Sequence, residues 1–590
     1  MRSFFKIFFA SLLALTIFTI IMFVLGIGLF STVAEEDKPE VKSKTVLVLD
    51  ISKPMMEQRV EAGLPIPGMQ EEEMQGLFEV TRALDAAASD TAVKGIYLVG
   101  TYNPNGFATA TELRQALLRF KAKGKFILAF ANYFDQRSYE IANTANEIYL
   151  NPAGMLDWQG YSVQLAFFKN ALDKLEIKPE IFFAGQFKSA TEPYRFNKMS
   201  EPNRLQMQTF IESLYGLFLS NTASSRKLDT AVLRKMATEL SMCTAEDALK
   251  AGLVDKLLYD DEVKTILAKK VGAASIEKIN FMKLPEYIKA GKQETKISSN
   301  KIAVIYAQGE IVDGKGDEKS IGGDTYRQLL RKARFDKDVK AVVFRVNSPG
   351  GSAIASEVIL RELLLLKKEK PVIVSMGDYG ASGGYYISCG ADSIFAQPNT
   401  LTGSIGVFTM LFDASKAMSN KLGITFDEVS TTPSATLGSP FRPITATERM
   451  YLQRGIDSIY ARFKGKVADG RKLSVEYVDS IGQGRIWSGK DAVANKLVDR
   501  LGSTQDAVAS AAKMAGIKEY SIKEWPEVEP FWQKLFGDKS KPEAQAAFQI
   551  KQYMGTEFYT AWKQLQDMKA MAGKAQTRLP FFIMSSGQRP

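Results

Sequence analysis

The sequence predicts an α/β protein made of two tandem copies of one domain behind an N-terminal transmembrane helix. Three observations predict it. The first is a repeat. Val93-Lys94-Gly95-Ile96 resembles Val339-Lys340-Ala341-Val342, and the two stand 246 residues apart. The same spacing relates Phe126-Ile127-Leu128 to Val372-Ile373-Val374, and Tyr133, Tyr139, Ile141, Ala145, Pro152 and Gly160 to Tyr379, Tyr385, Ile387, Ala391, Pro398 and Gly406. So long a period means two copies of a domain, not a solenoid of short repeats. The second observation is the alternation of strand and helix patterns within each copy, which implies a mainly parallel sheet covered by helices. The third is the run from Ile7 to Phe30, which carries no charge and is long enough to span a bilayer.

Taken in order, Arg2 and Lys6 precede the apolar run and Glu35, Glu36 and Asp37 follow it. Positive charge on the short side predicts a cytoplasmic N-terminus, with the remaining mass outside the cytoplasm. Thr32-Val33-Ala34 is a mediocre cleavage site, so residues 1–34 are expected to be an uncleaved anchor, with processing left open. The first copy spans 45–290 and the polar, lysine-rich stretch from Lys289 to Asn300 reads as a linker. The second copy spans 300–525. Within it, Ile302–Tyr306 reads as a strand, Asp324–Arg334 as a helix, and Ala341–Val346 as an apolar strand interrupted only by Arg345. A loop, Asn347-Ser348-Pro349-Gly350-Gly351, leads to a helix from about Ala355 to Lys367, then to a strand from Pro371. Residues 526–590 form a polar tail with an expected helix over about 542–571.

Composition narrows the chemistry. The chain has 590 residues, too many for one core, and a net charge of +10 spread without a long basic block. That charge fits a solvated surface facing anionic lipid better than a nucleic-acid site. There are no histidines, which excludes a Ser-His-Asp triad, a Cys-His dyad and any histidine metal site within the chain. Cys243 and Cys389 are the only cysteines; a single bridge and buried free thiols both stay open.

Gly380-Ala381-Ser382-Gly383-Gly384 places Ser382 at a strand-to-helix turn, among small residues that let a substrate backbone approach. The first copy has Gln136, Arg137 and Ser138 where the second has Ser382, Gly383 and Gly384, and Pro104-Asn105-Gly106 where the second has Pro349-Gly350-Gly351. Further along the reverse holds. Phe187-Lys188-Ser189-Ala190-Thr191 aligns with Thr432-Pro433-Ser434-Ala435-Thr436, so Lys188 belongs to the first copy alone. Complementary loss fits one site shared by the two copies. A serine nucleophile needs a base, and without histidine a lysine is the candidate, provided burial lowers its pKa. Phe182, Phe183, Phe187 and Ala190 are apolar enough to bury it. The competing reading is a solvated surface lysine among Lys169, Lys174, Lys178 and Lys198. Gly380-x-Ser382-x-Gly384 also fits a hydrolase nucleophile elbow, but that fold needs a histidine.

With Leu401-Thr402-Gly403-Ser404-Ile405-Gly406, these motifs resemble the signal peptide peptidase A (protease IV) family in its long, tandem-domain bacterial form, over roughly residues 1–525. The resemblance implies ClpP/crotonase-like domains and a membrane-anchored serine endopeptidase with a Ser/Lys dyad, which degrades signal peptides after their release. It implies Ser382 as nucleophile, Lys188 as general base, Ser404 orienting the lysine, and backbone N–H groups of Gly350, Gly351 and Gly383 around the oxyanion. It further implies no metal or cofactor, extended apolar peptides as partners together with the bilayer, a ring-like homo-oligomer (a tetramer), no nucleic acid, and a periplasmic site on the inner membrane. Two other readings compete. A crotonase-type CoA enzyme would be soluble and use a carboxylate base, and a non-catalytic scaffold would not need Lys188.

Overall fold

The computed structural model describes residues 4, 7–19, 21, 39–60, 73–291, 298–528 and 575–578. Residues 7–19 are helical. The rest of the predicted anchor lies largely outside the described residues, as do the core of the linker and the predicted helix over 542–571. Among the described residues no helix is long and apolar enough to cross a membrane.

The duplication is visible strand by strand. In the first copy a six-stranded parallel sheet runs Lys256–Leu257, Glu147–Leu156, Phe126–Phe134, Val93–Val99, Thr45–Asp50, Phe281–Lys283. The second copy repeats that order with Arg500–Leu501, Ser393–Ala396, Val372–Ala381, Val339–Ser348, Lys301–Gln308 and Ser521–Trp525. The long strand Glu147–Leu156 of the first copy becomes two in the second, because Leu401–Gly403 takes over the upper part of the pairing. Strands such as Val339–Ser348 are buried on both faces, as parallel strands between helical layers must be. This explains their near-continuous apolar runs. The observed second copy matches the sequence expectation closely, with helices Gly323–Phe335 and Ala353–Lys367. The predicted loop after Val346 adds a short strand, Gly350–Ser352, whose last residue caps the following helix by accepting from the Ala355 N–H.

The copies also share details outside the strands. Tyr139 Oη donates to the Leu253 carbonyl, and Tyr385 Oη to the Leu497 carbonyl. Arg226 pairs with Asp255, and Arg471 with Asp499.

Two of the features that join the copies position the site. Lys178–Ala184 leaves the sheet of its own copy and pairs antiparallel with Val407–Asp413 of the second, inside a third, mixed sheet. And Asp378 of the second copy accepts from the N–H groups of Ala108 (2.7 Å) and Thr109 (3.1 Å), capping the helix Phe107–Ala122 of the first. The glycine before that helix is required, since a Cβ on Gly106 would lie 2.1 Å from the Asp378 carboxyl carbon.

Candidate active site

Ser382 follows the strand Val372–Ala381 and opens the helix Gly383–Tyr386. Its backbone sits at φ 55°, ψ −115°, a conformation that costs a non-glycine residue about 1–3 kcal/mol. The turn is held because Ser382 N–H donates to the Gly403 carbonyl (2.8 Å), and because the helix packs tightly on the preceding loop. A Cβ on Gly384 would lie 2.6 Å from the Ser348 carbonyl oxygen, so only glycine allows that approach.

Lys188 arrives from the first copy. The strand Lys178–Ala184 carries the chain across the join, and Gly185, at φ 105°, turns it toward Ser382. Phe187 N–H donates to the Gln483 carbonyl (2.8 Å). Gly484 lies so close that a Cβ there would be 2.6 Å from Lys188 N. Gln206 braces the segment from the other side, its Nε2 donating to the Phe187 carbonyl (3.0 Å) and Ser189 Oγ (3.0 Å). Lys188 Nζ then lies 2.7 Å from Ser382 Oγ, 3.0 Å from Ser404 Oγ and 3.3 Å from the Ser404 carbonyl. The lysine and the serine that meet here belong to one chain.

The electrostatics follow from that burial. Lys188 is 1% exposed and Ser382 0% exposed. Burial alone lowers the lysine pKa from 10.5 to about 7. A neutral amine has two N–H bonds and one lone pair, which matches two acceptors on Ser404 and one hydroxyl on Ser382. Ser404 is itself fixed, at φ 51° and with its N–H donating to the Arg485 carbonyl (2.7 Å).

The three predicted glycines divide. Gly350 N–H donates to Ser348 Oγ (3.2 Å) within its own turn. Gly383 is the first residue of its helix, so its N–H makes no intrahelical bond. Gly351 lies between two strands, opposite Ile311 on one side and Thr577 on the other. The second of these belongs to the chain's own tail. Gln576–Arg578 runs antiparallel to Gly350–Ser352, with Gln576 also opposite Phe408.

Sequence reasoning missed the parts that hold the dyad still. Gly484 and Gln206 carry Lys188. A buried charged cluster across the copies carries the glycine loop. Arg345 Nε donates to Glu57 Oε2 (2.7 Å) and its Nη2 lies 3.2 Å from Glu112 Oε2. Asn347 Nδ2 donates to Glu57 Oε1 (2.8 Å), and Asn347 Oδ1 accepts from Tyr379 N–H (3.0 Å). Burial pushes the Glu57 carboxyl above its usual range, against the pull of Arg345. The readable signal was Arg345 itself, a lone charge in an apolar strand. Both cysteines are free; Cys389 is buried, whereas Cys243 is exposed. Among the described residues no cluster of His, Cys, Asp and Glu is arranged to hold a metal.

Comparison with known proteins gives a family match. The profile of peptidase family S49 matches residues 119–274 and again 365–518. The chain is 35% identical over 527 residues to Protease 4 of Salmonella typhi, covering 86% of this chain and 85% of that one. It is 30% identical over 487 residues to the chloroplastic serine protease SPPA of Arabidopsis thaliana, covering 81% and 70%. Among solved structures, a point mutant of ClpP1 from Listeria monocytogenes matches with a TM-score of 0.24 and 15% identity, over 35% of this chain and 94% of that one.

Proposed function

The chain belongs to peptidase family S49 and is a serine peptidase; from that premise we propose that it is a membrane-anchored endopeptidase that uses a Ser382/Lys188 dyad to degrade released signal peptides outside the cytoplasm. The observation that carries the dyad is the 2.7 Å approach of a buried lysine to a buried serine at a strained turn. Neutral Lys188 takes the Ser382 proton as Oγ attacks the scissile carbonyl. The developing oxyanion lies against the N–H groups of Gly351 and Gly383. As the C–N bond breaks, the lysine returns its proton to the leaving amine. Water, deprotonated by the same lysine, then releases the acyl group. Ser404 keeps the lone pair of Lys188 aimed at Ser382.

One observation supports extended peptides as substrates, and another supports the bilayer as a partner. The Gly350–Ser352 edge accepts an added antiparallel strand, since the chain's own Gln576–Arg578 already lies there. And the helix 7–19 shows apolar side chains on every side, with Ile7 68%, Phe9 60% and Leu13 62% exposed, a surface suited to lipid. We read the full run to Phe30 as the anchor and each copy as a ClpP/crotonase-type unit. The chain is further read as one subunit of a ring-like homo-oligomer, a tetramer.

A serine-directed fluorophosphonate tests the reading. Labelling is expected at Ser382 alone and is lost in Lys188→Met, alongside degradation of a synthetic signal peptide by the wild-type protein. Labelling elsewhere, or undiminished labelling of Lys188→Met, overturns the dyad.

A further inference from the structure

The helix Glu201–Arg226 of the first copy lies against strands of the second beside Ser382. Its Met207, Phe210 and Leu214 pack with Ala381, Leu401 and Ile486, so the residue before Ser382 is part of the contact. Burial of these side chains docks the helix. Among them stands one buried amide, Gln206, only 2% exposed.

That amide is held in one orientation. The Glu192 carboxylate accepts from Ser200 N–H (3.1 Å) and from Asn203 Nδ2 (2.9 Å). Asn203 has then spent its amide donor on Glu192, and its Oδ1 faces Gln206 (3.1 Å). Gln206 must present its Nε2 on that side, where the Phe187 carbonyl (3.0 Å) and Ser189 Oγ (3.0 Å) also accept. Its Oε1 is left for the other copy, and accepts from Ile486 N–H (3.2 Å).

The two ends of the amide lead to the two sides of the dyad. The Phe187 carbonyl belongs to the peptide unit that carries Lys188 N. The Ile486 N–H belongs to the peptide unit whose carbonyl, on Arg485, accepts from Ser404 N–H (2.7 Å). Ile486 also stands opposite Gly403, whose carbonyl accepts from Ser382 N–H (2.8 Å). One peptide unit therefore separates Gln206 from the lysine, and one separates it from the serine that the lysine leans on. The lysine comes from one copy and both serines from the other, and this amide spans the difference.

The duplication bears on its role. The helices Glu201–Arg226 and Ala446–Arg471 have the same length, hydroxyl N-caps at Ser200 and Thr445, and left-handed C-caps at Lys227 and Lys472, so Tyr451 is the twin of Gln206. Tyr451 is 61% exposed. The buried amide occurs in the copy that carries Lys188, and not in the copy that has Pro433 at that place.

We propose that Gln206 is a positioning residue for the reaction, setting the register of Lys188 against Ser382 and Ser404 across the join of the copies. This role rests on the Ser382/Lys188 reading. The hydrogen-bond partners of Gln206 are Phe187, Ser189, Asn203 and Ile486, none of which belongs to the Gly350–Ser352 edge. Its loss therefore falls on turnover and not on substrate binding.

The test uses the full chain in detergent, with a synthetic signal peptide as substrate. The rate of fluorophosphonate labelling, which needs no peptide, reports on Ser382 directly. Gln206→Met keeps the side-chain length and the apolar docking of the helix, and removes both ends of the tie. It is expected to lower kcat about a hundredfold at unchanged KM, the order for a misplaced catalytic group. Labelling slows by a like factor, and the acid limb of kcat/KM moves to higher pH as Lys188 gains access to water. Gln206→Glu is nearly isosteric. It keeps an acceptor for Ile486 N–H but offers the Phe187 carbonyl no N–H, and its negative charge favours the protonated lysine, so its acid limb also moves to higher pH. The thermal transition is followed in both, and a variant that retains it carries the test. Wild-type kcat, a raised KM at unchanged kcat, or an acid limb that stays at the wild-type pH overturns the proposal. Lys188→Met separates this outcome from failure of the dyad. If Lys188→Met labels as fast as wild type, the dyad reading falls and the positioning role with it. If Lys188→Met is silent while the Gln206 variants behave as wild type, the positioning role alone is overturned.

Discussion

The same strand-to-helix turn occurs twice in this molecule, once with Ser382 and once with Gln136. At Ser382 the backbone is forced to φ 55° and the side chain faces a buried lysine. At Gln136 the turn has relaxed. Its helix starts after Asp135, whose carboxylate accepts from Ser138 N–H, and Gln136 is absent from the left-handed region. The glutamine side chain fills the vacant place, accepting from the N–H groups of Gln159 (2.7 Å) and Gly160 (2.8 Å) and donating to the Gly160 carbonyl (3.0 Å). The scaffolding around both turns is shared, down to the tyrosines that reach Leu253 and Leu497. On the proposed mechanism, the difference marks what reactivity adds to the fold: a strained serine, and a lysine brought from the other copy to face it. Where the lysine is missing, the strain has gone too.

The sharpest way to break this contrast is to remove either member of the dyad. Ser382→Ala and Lys188→Met are each expected to lower kcat by about four orders of magnitude or more, with the thermal transition retained. Activity within tenfold of wild type in either variant would place the chemistry elsewhere. Next in size is the charged cluster that binds the copies together. Glu57→Leu leaves Arg345 buried with one carboxylate fewer and is expected to cost about 3–5 kcal/mol in chemical denaturation.

The pH dependence separates the two sites more finely. Burial lowers the Lys188 pKa to about 7, so if this lysine is the base kcat/KM is expected to fall about tenfold per pH unit below that value and level off above it. Its unfolded pKa is about 10.4. Between the two values the unfolded chain binds more protons, so this residue makes stability rise with pH across that window. Melting curves of Lys188→Met should lack that rise; an identical pH dependence in both proteins would show a lysine that is not desolvated. The smallest effect expected is none. Gln136→Ser recreates a serine at the silent turn but no lysine faces it, so a second fluorophosphonate label there would refute the need for the pair.

Much of this was legible in the sequence, for identifiable reasons. The repeat spacing and the apolar runs fix two parallel sheets, because buried strands must be apolar on both faces. The absence of histidine points to lysine, and complementary loss assigns serine and lysine to different copies. Ser404 was readable from its motif, and it lies 3.0 Å from Lys188 Nζ. The supports were not readable. Gln206 and Gly484 act through one side-chain amide and one close backbone approach, and neither leaves a periodic trace. The strand Lys178–Ala184 reads as an ordinary member of its own copy, since nothing local specifies that its partner belongs to the other.

The short strand Gln576–Arg578, resting on Gly350–Ser352, carries a kinetic consequence. A substrate that binds as a strand must displace it. The tail is then a tethered competitor, present at an effective concentration set by the chain and not by dilution. If its docking equilibrium is K, the apparent KM is multiplied by 1 + K while kcat is untouched. Removing residues 575–590 is therefore expected to lower KM at constant kcat, with the same tail sequence added as a free peptide inhibiting competitively. The tail thus raises the concentration that every strand-binding peptide needs by the same factor, and leaves the ranking among peptides unchanged.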